Sequence, residues 1–274
     1  MLSSPHLNEG SVTNVPDHSD YGRQFAGIYD DLFPRENVTP GQIDWLAALA
    51  GGLSHPHVVE FGVGTGRIAL PLYDALRQHG PVDYVGVDVS EEMLEALRKK
   101  NPDNSITTLT ADMVEGAPVA GADVVLCICG TISMVADAEA QRQTLRNAAE
   151  VLRPGGTLVV EIHNPDLVQR MHGNQRRITL AVPYHGGDHV LVTFAELEPP
   201  VWRVDHCWVA RDAATFASET SRLTTLTELD TYASAAGFSV MGHYDGLTGA
   251  PIHENSAMIT GVYRLDNEAS NLRG

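Results

Sequence analysis

The chain is short of positive charge, of cysteine and of long apolar runs, and each shortage narrows what it can be. Its 274 residues carry 18 Lys and Arg against 35 Asp and Glu, a formal net charge of −17. Tight binding to nucleic-acid phosphates needs clustered cations, and the only adjacent arginines are Arg176 and Arg177. A nucleic-acid partner is therefore not expected, while a small basic ligand stays open; the acid excess itself reads as solubility. Three cysteines, two of them in the apolar run VVLCICG, cannot build a disulfide framework. No apolar stretch is long enough to span a bilayer, and the N-terminus MLSSPHLNEGSVTNVPDHSD lacks the apolar centre of a signal peptide. These absences predict a cytoplasmic protein with no membrane contact and a loosely ordered leader at 1–20. The histidines, among them His185, His189, His243 and His253, show no helical His-x-x-x-His or clustered Cys/His spacing, so no metal site is expected.

What is present is ample apolar material, 43% of the residues, arranged in two rhythms. Tyr21, Phe25, Ile28, Tyr29 and Leu32 recur at three and four residues, which predicts an amphipathic helix over 21–33. TPGQIDWLAALAGGL follows as a second helix. Strands at 57–61, 82–90, 106–112, 122–130 and 156–164 then alternate with helices at 66–79, 91–101 and 138–152. Such alternation implies a parallel sheet covered on both faces. From 176 to 210 the rhythm changes to β-rich segments parted by Gly- and Pro-containing turns, an antiparallel insertion. LTTLTELDTYASAAGF restores a helix with a Thr cap and a terminal Gly237, and FSVMGHYDG and SAMITGVYRL are two last strands. The expected units are N-terminal lid helices at 21–56, a cofactor-binding core at 57–175, the insertion at 176–222, the rest of the core at 223–266, and a tail at 267–274.

The stretch VVEFGVGTGRIALPL sets Gly62, Gly64 and Gly66 between a strand and a helix. A dinucleotide fingerprint is GxGxxG, and here Arg67 holds the third-glycine place. Glycines spaced by two let a backbone approach a ligand closely. Three acids stand at three successive strand ends: Glu60, Asp88 in VGVDVS, and Asp112 in LTADM. A carboxylate at Asp88 can accept two hydrogen bonds from a ribose diol, with Asp112 toward a base edge and Val89 and Met93 as its apolar walls.

In this order VVEFGVGTGRIALPL, YVGVDVSEEML, TADM, ADVVLCICGTISMV and LRPGGTLVVEI resemble the motifs of class I S-adenosylmethionine-dependent methyltransferases, over about residues 57–163. The resemblance implies an α/β, Rossmann-like, seven-stranded, mostly parallel sheet whose last strand, SAMITGVYRL, runs antiparallel. It implies that Gly62 to Gly66 contact the methionine part of the cofactor, Asp88 the ribose, and Asp112 and Met113 the adenine, with Cys129 and Gly130 near the methionine amino group. The likeness is to small-molecule methyltransferases of antibiotic and sugar tailoring, which carry a Tyr-rich N-terminal lid and an antiparallel insertion after the fifth strand. Met134 stands where aminosugar N-methyltransferases of that group have a His.

The expected reaction is transfer of a methyl group from S-adenosylmethionine to an oxygen or nitrogen of a small metabolite, leaving S-adenosylhomocysteine, by in-line displacement with proximity and desolvation. His163, closing VVEIH at the ligand side of the sheet, is the candidate base. Tyr29 and Tyr21 would orient acceptor or cofactor, and Arg67 would meet the cofactor's carboxylate. Met134, His206 and Trp208 would line the acceptor pocket. Insertions at this place can also form a homodimer interface. Open alternatives are a non-methylating S-adenosylmethionine-binding catalyst such as a cyclase, an NAD(P)-dependent oxidoreductase, and a binding or regulatory protein without catalysis.

Overall fold

The computed structural model describes residues 19–183 and 190–267, the side chains of Ser19, Asp20, Val182 and Pro183 aside. All but the last two residues of the leader at 1–20, His185, His189 and nearly all of the tail at 267–274 therefore lie outside the described residues.

Two short helices come first, α1 (Ser19–Phe25) and α2 (Tyr29–Leu32). The single helix expected over 21–33 is broken at 26–28, where Gly27 leaves the backbone free and Ile28 turns to φ −129°, ψ −2°. Helix α3 (Pro40–Leu49) starts cleanly because Thr39 and Gln42 form a reciprocal capping box and proline takes the first turn.

The core follows as β1 (His57–Phe61), α4 (Ala69–Leu76), β2 (Asp83–Asp88), α5 (Glu91–Lys100), β3 (Ile106–Thr110), β4 (Ala122–Cys127), α6 (Ala138–Val151) and β5 (Leu152–His163). A helix not expected from periodicity, α7 (Pro165–His172), follows β5; Asn164 caps it and Pro165 opens it. Four strands then build a separate antiparallel sheet in the order β6 (Arg177–Pro183), β7 (Val190–Glu198), β8 (Val201–Val209) and β9 (Ala214–Arg222). Helix α8 (Leu226–Ala235), β10 (Phe238–Asp245) and β11 (Met258–Leu265) complete the chain.

The main sheet has seven strands in the order β10-β11-β5-β4-β1-β2-β3. Strands β1 to β5 run parallel, and β11 lies antiparallel between β5 and β10. Alternate residues of the central strands serve opposite faces. Val59, Phe61, Val125, Leu158 and Val160 pack with Leu145 and Ala148 of α6 and Leu229 of α8. Val58, Val124, Leu126 and Val159 pack with Leu46 of α3, Leu72 of α4 and Leu94 of α5. Both faces are thus apolar, as a parallel sheet between helix layers requires. Strand order reverses between β1 and β4, and the crevice beyond the carboxyl ends at that reversal is where open α/β sheets hold ligands.

The segment after β4 is shaped by one buried side chain of α6. Gln141 Nε2 donates to the carbonyls of Ile132 (3.0 Å) and Val135 (2.9 Å), while its Oε1 accepts from Thr224 Oγ1 at 2.6 Å. Gln141→Ala strands these buried partners, so a loss of about 3 kcal/mol is expected in urea unfolding. A loss below about 1 kcal/mol would mean that water replaces the amide without cost.

Candidate active site

A cavity of about 710 Å³ opens at the carboxyl ends of β1, β2, β4 and β5, roofed by α1, α2 and the insertion sheet. Its donor side begins at the glycine turn. Gly62 and Gly64 adopt φ of +67° and +55°; a Cβ at Gly62 would stand 2.2 Å from Thr131 Cγ2, whereas one at Gly64 would meet nothing within 4 Å. The Gly64 amide donates to Asp88 Oδ2 at 2.8 Å, and Asp88 Oδ1 accepts from the Ser90 amide at 2.9 Å. Burial raises the Asp88 pKa against the pull of these amides. Asp112 Oδ1 accepts from the Val114 amide at 2.8 Å, which fixes the turn after β3.

Deeper in, the polar groups are dry. Glu60 is 3% exposed and accepts from the Tyr84 hydroxyl. Burial pushes its pKa from 4.5 to about 8. Glu161 accepts from the Cys129 amide at 2.7 Å and is pushed by burial to about 7. Cys129 itself sits at φ +58°, an uncommon conformation for a side-chain-bearing residue, held in part by that bond. Burial holds its thiol up at about 12, so it is a neutral wall and no nucleophile. The guanidinium of Arg67 stands beside Cys129 and Tyr29 and over the Phe33 ring, 5.6 Å from its centroid. Its Nε is buried without a partner among the described residues.

The far side of the cavity comes from β5 and the insertion. Burial lowers the His163 pKa, so the ring is neutral at neutral pH. Its ring meets Trp202 edge-on at 5.3 Å. Trp202 Nε1 donates to His172 Nε2 at 3.1 Å, and His172 Nδ1 lies 3.2 Å from the Gln175 carbonyl, so the proton of His172 belongs on Nδ1. His206 Nδ1 lies 3.0 Å from Thr193 Oγ1, and its Nε2 is 3.7 Å from Glu219.

Tyr21, Tyr29, Glu60, Gly62, Gly64, Arg67, Asp88, Val89, Met93, Asp112, Met113, Cys129, Met134, His163 and His206 all line this cavity. Two selected residues do not. Gly66 lies beneath the turn at φ +80°, where a Cβ would be 2.4 Å from Leu97 Cδ1, so it shapes the bend. Trp208 packs with Phe25, Leu32, Met93 and Ala217 and supports the roof from within. Sequence reasoning missed Glu161, Trp202 and Glu219. Glu161 had a signal, because VVEIH repeats the apolar-run-plus-acid pattern of VVEFG; Glu219, in the polar ATFASETSR, had none.

Residues 58–156 match a family model described as a methyltransferase domain. A cypemycin N-terminal methyltransferase from Streptomyces is 24% identical over 239 residues, covering 86% of this chain and 94% of that one. The structure of the CcbJ methyltransferase from Streptomyces caelestis superposes with a TM-score of 0.79 at 26% identity, over 92% of this chain and 100% of that one. Residues 58–156 thus form a methyltransferase domain, and its methyl donor is S-adenosylmethionine. In fold it is also similar to the S-adenosylmethionine-bound amino pentose methyltransferase CalS10 from Micromonospora echinaspora, with a TM-score of 0.65, 17% identity and coverage of 86% and 96%. The methyltransferase's own residues fit that cofactor: open space at Gly64, a buried strand-end carboxylate at Asp88, and an unpartnered buried guanidinium nitrogen at Arg67.

The buried acids make stability depend on pH. Unfolded, Glu60 ionises near 4.5; folded, near 8. Stability gained by keeping it neutral is complete below about pH 4.5 and is lost as pH rises toward about 8, and Glu161 adds to the same slope up to about 7. Melting temperature is therefore expected to fall across this window in the wild type and to fall less steeply in Glu60→Gln. Equal slopes in the two proteins would contradict the assignment.

Proposed function

We propose that this methyltransferase moves the methyl group of S-adenosylmethionine to a nitrogen or oxygen of a small-molecule acceptor. The observation that carries the reading is one cavity whose donor wall and acceptor wall are built by different parts of the chain. The glycine turn and strand-end acids form the first; the insertion sheet and N-terminal helices form the second. Its volume is in the range of small-ligand sites. The names of two relatives, an N-terminal methyltransferase and an amino pentose methyltransferase, support nitrogen among the acceptor atoms.

Bound S-adenosylmethionine supplies an electrophilic sulfonium methyl. Asp88 would offer the lone pairs left by Gly64 and Ser90 to the ribose hydroxyls, while Val89, Met93, Asp112 and Met113 would enclose the base. Arg67 would receive the methionine carboxylate, and Glu60 and Glu161 would offset the cofactor's positive charge beside Cys129. Beyond them His163, Tyr29, Met134 and His206 position the acceptor. Neutral His163, whose ring makes no hydrogen bond among the described residues, would take the proton that the acceptor atom gives up as its lone pair bonds to the methyl carbon and the carbon–sulfur bond breaks to release S-adenosylhomocysteine. Most of the rate comes from holding the two reacting atoms together in a dry site. A reducing compartment such as the cytoplasm suits its three free thiols.

Isothermal titration tests the donor half: S-adenosylmethionine is expected to bind the wild type, and Asp88→Ala to weaken it at least about tenfold, the loss of a charged hydrogen-bonding pair. Because a bound cation favours ionised Glu60 and Glu161, proton release is expected near pH 7, seen as a binding enthalpy that changes with the buffer's ionisation enthalpy. No binding, or full binding by Asp88→Ala, would overturn the reading. Incubation with a panel of small amines and alcohols tests the acceptor half: methylated product and S-adenosylhomocysteine should form in equal amounts. Turnover of an acceptor without S-adenosylhomocysteine would instead show a non-methylating use.

A further inference from the structure

The N-terminal helices cover the cavity and are held there by a small apolar cluster and a few polar contacts. Helix α2 is a single turn of four residues with no side-chain cap, far too short to persist without tertiary contacts. Apolar contact is supplied by Phe25 and Leu32 with Met93 and Trp208. Among the polar contacts of this segment, those of Asp30 reach two separate elements. Its Oδ1 accepts from Thr65 Oγ1 at 2.6 Å, and its Oδ2 accepts from Lys100 Nζ at 2.7 Å. Thr65, 1% exposed, lies inside the glycine turn between Gly64 and Gly66, and Lys100 is the last residue of α5. One carboxylate thus joins the roof, the donor-binding turn and the helix after β2. The residue before it, Tyr29, reaches into the cavity.

We propose that Asp30 is a positioning residue that latches the N-terminal helices to the glycine turn, so that release of this latch gates entry and exit of the S-adenosyl ligand. The inference rests on the donor reading above. The latch fits its task chemically. Its buried arm, the hydroxyl of Thr65, fixes where the roof sits relative to the turn. Its ionic arm is half in solvent, with side-chain exposures of 53% for Asp30 and 35% for Lys100, so it is open to screening by salt and weak enough to break on every turnover. Gly22 lets the roof come down fully, because a Cβ there would lie 2.2 Å from Ser90 Cβ. On the opposite edge Gln24 Oε1 accepts from the Ser218 amide at 2.8 Å, so the roof also spans to the insertion.

S-adenosylhomocysteine dissociation, followed by stopped-flow fluorescence on the full chain, is the test. The wild-type off-rate is expected to rise with salt. Asp30→Asn should speed dissociation about tenfold, in line with the loss of a charged hydrogen bond and an exposed ion pair, and should remove most of the salt dependence. Lys100→Met should remove the salt dependence with a smaller gain in rate, and Asp30→Glu should restore part of both. Hydrogen exchange on the ligand-free protein gives a second readout: Asp30→Asn should raise exchange at 19–33 and at 62–66 together, while Asp88→Ala should leave 19–33 unchanged. Unaltered off-rates and exchange in Asp30→Asn would overturn the latch. If the wild type failed to bind S-adenosylhomocysteine, the donor reading would fall, and hydrogen exchange would still decide the latch.

Discussion

The hydrogen bond from the Gly64 amide to the Asp88 carboxylate is the constraint on which the active site depends. It runs between the turn after β1 and the end of β2, the two strands on one side of the reversal in strand order. With Gly64 at φ +55° and nothing opposite its missing Cβ, the bond holds the backbone open where a ligand must pass. The same carboxylate takes the Ser90 amide, and Ser90 caps α5. Turn, strand end and helix start are therefore locked as one piece before any ligand arrives, which is what a site needs in order to spend little on ordering itself.

Around this rigid piece the chain collects negative groups at a cost. Glu60 and Glu161 are both almost wholly buried, and both are pushed toward neutrality in a cavity where Arg67 is the sole lining Lys or Arg among the described residues. A site that keeps acids dry is poorly matched to its own empty state and well matched to a cation. Local strain at Cys129 and the unpartnered Arg67 Nε belong to the same pattern of stability given up where chemistry is done.

Most of the core was legible because both of its signals are local. The parallel strands are runs such as VVEF and DVVLC that a two-sided sheet demands, and the acids at their ends share one edge of that sheet by topology alone. The roof was less legible. Tyr21 to Leu32 keep helical spacing across Gly27, so periodicity reads one helix where the backbone makes two. Trp202 and Trp208 share a face of β8, yet the first lines the cavity and the second packs in the cluster with Phe25 of α1, a division that strand alternation does not reveal. Glu219 was illegible, since its pairing across from Val204 on a polar strand is a tertiary fact. Asp30, likewise, looks like any solvated helix acid until Thr65 and Lys100, 35 and 70 positions away, are brought to it.

The insertion leaves the core after α7 and returns to it just before α8, and it contributes no strand to the seven-stranded sheet. The donor wall, by contrast, is drawn from β1 to β5 and the turns between them. The two halves of the cavity are thus structurally separate modules. Residues 177–222 can therefore change length and sequence without disturbing any strand of the sheet that carries the glycine turn.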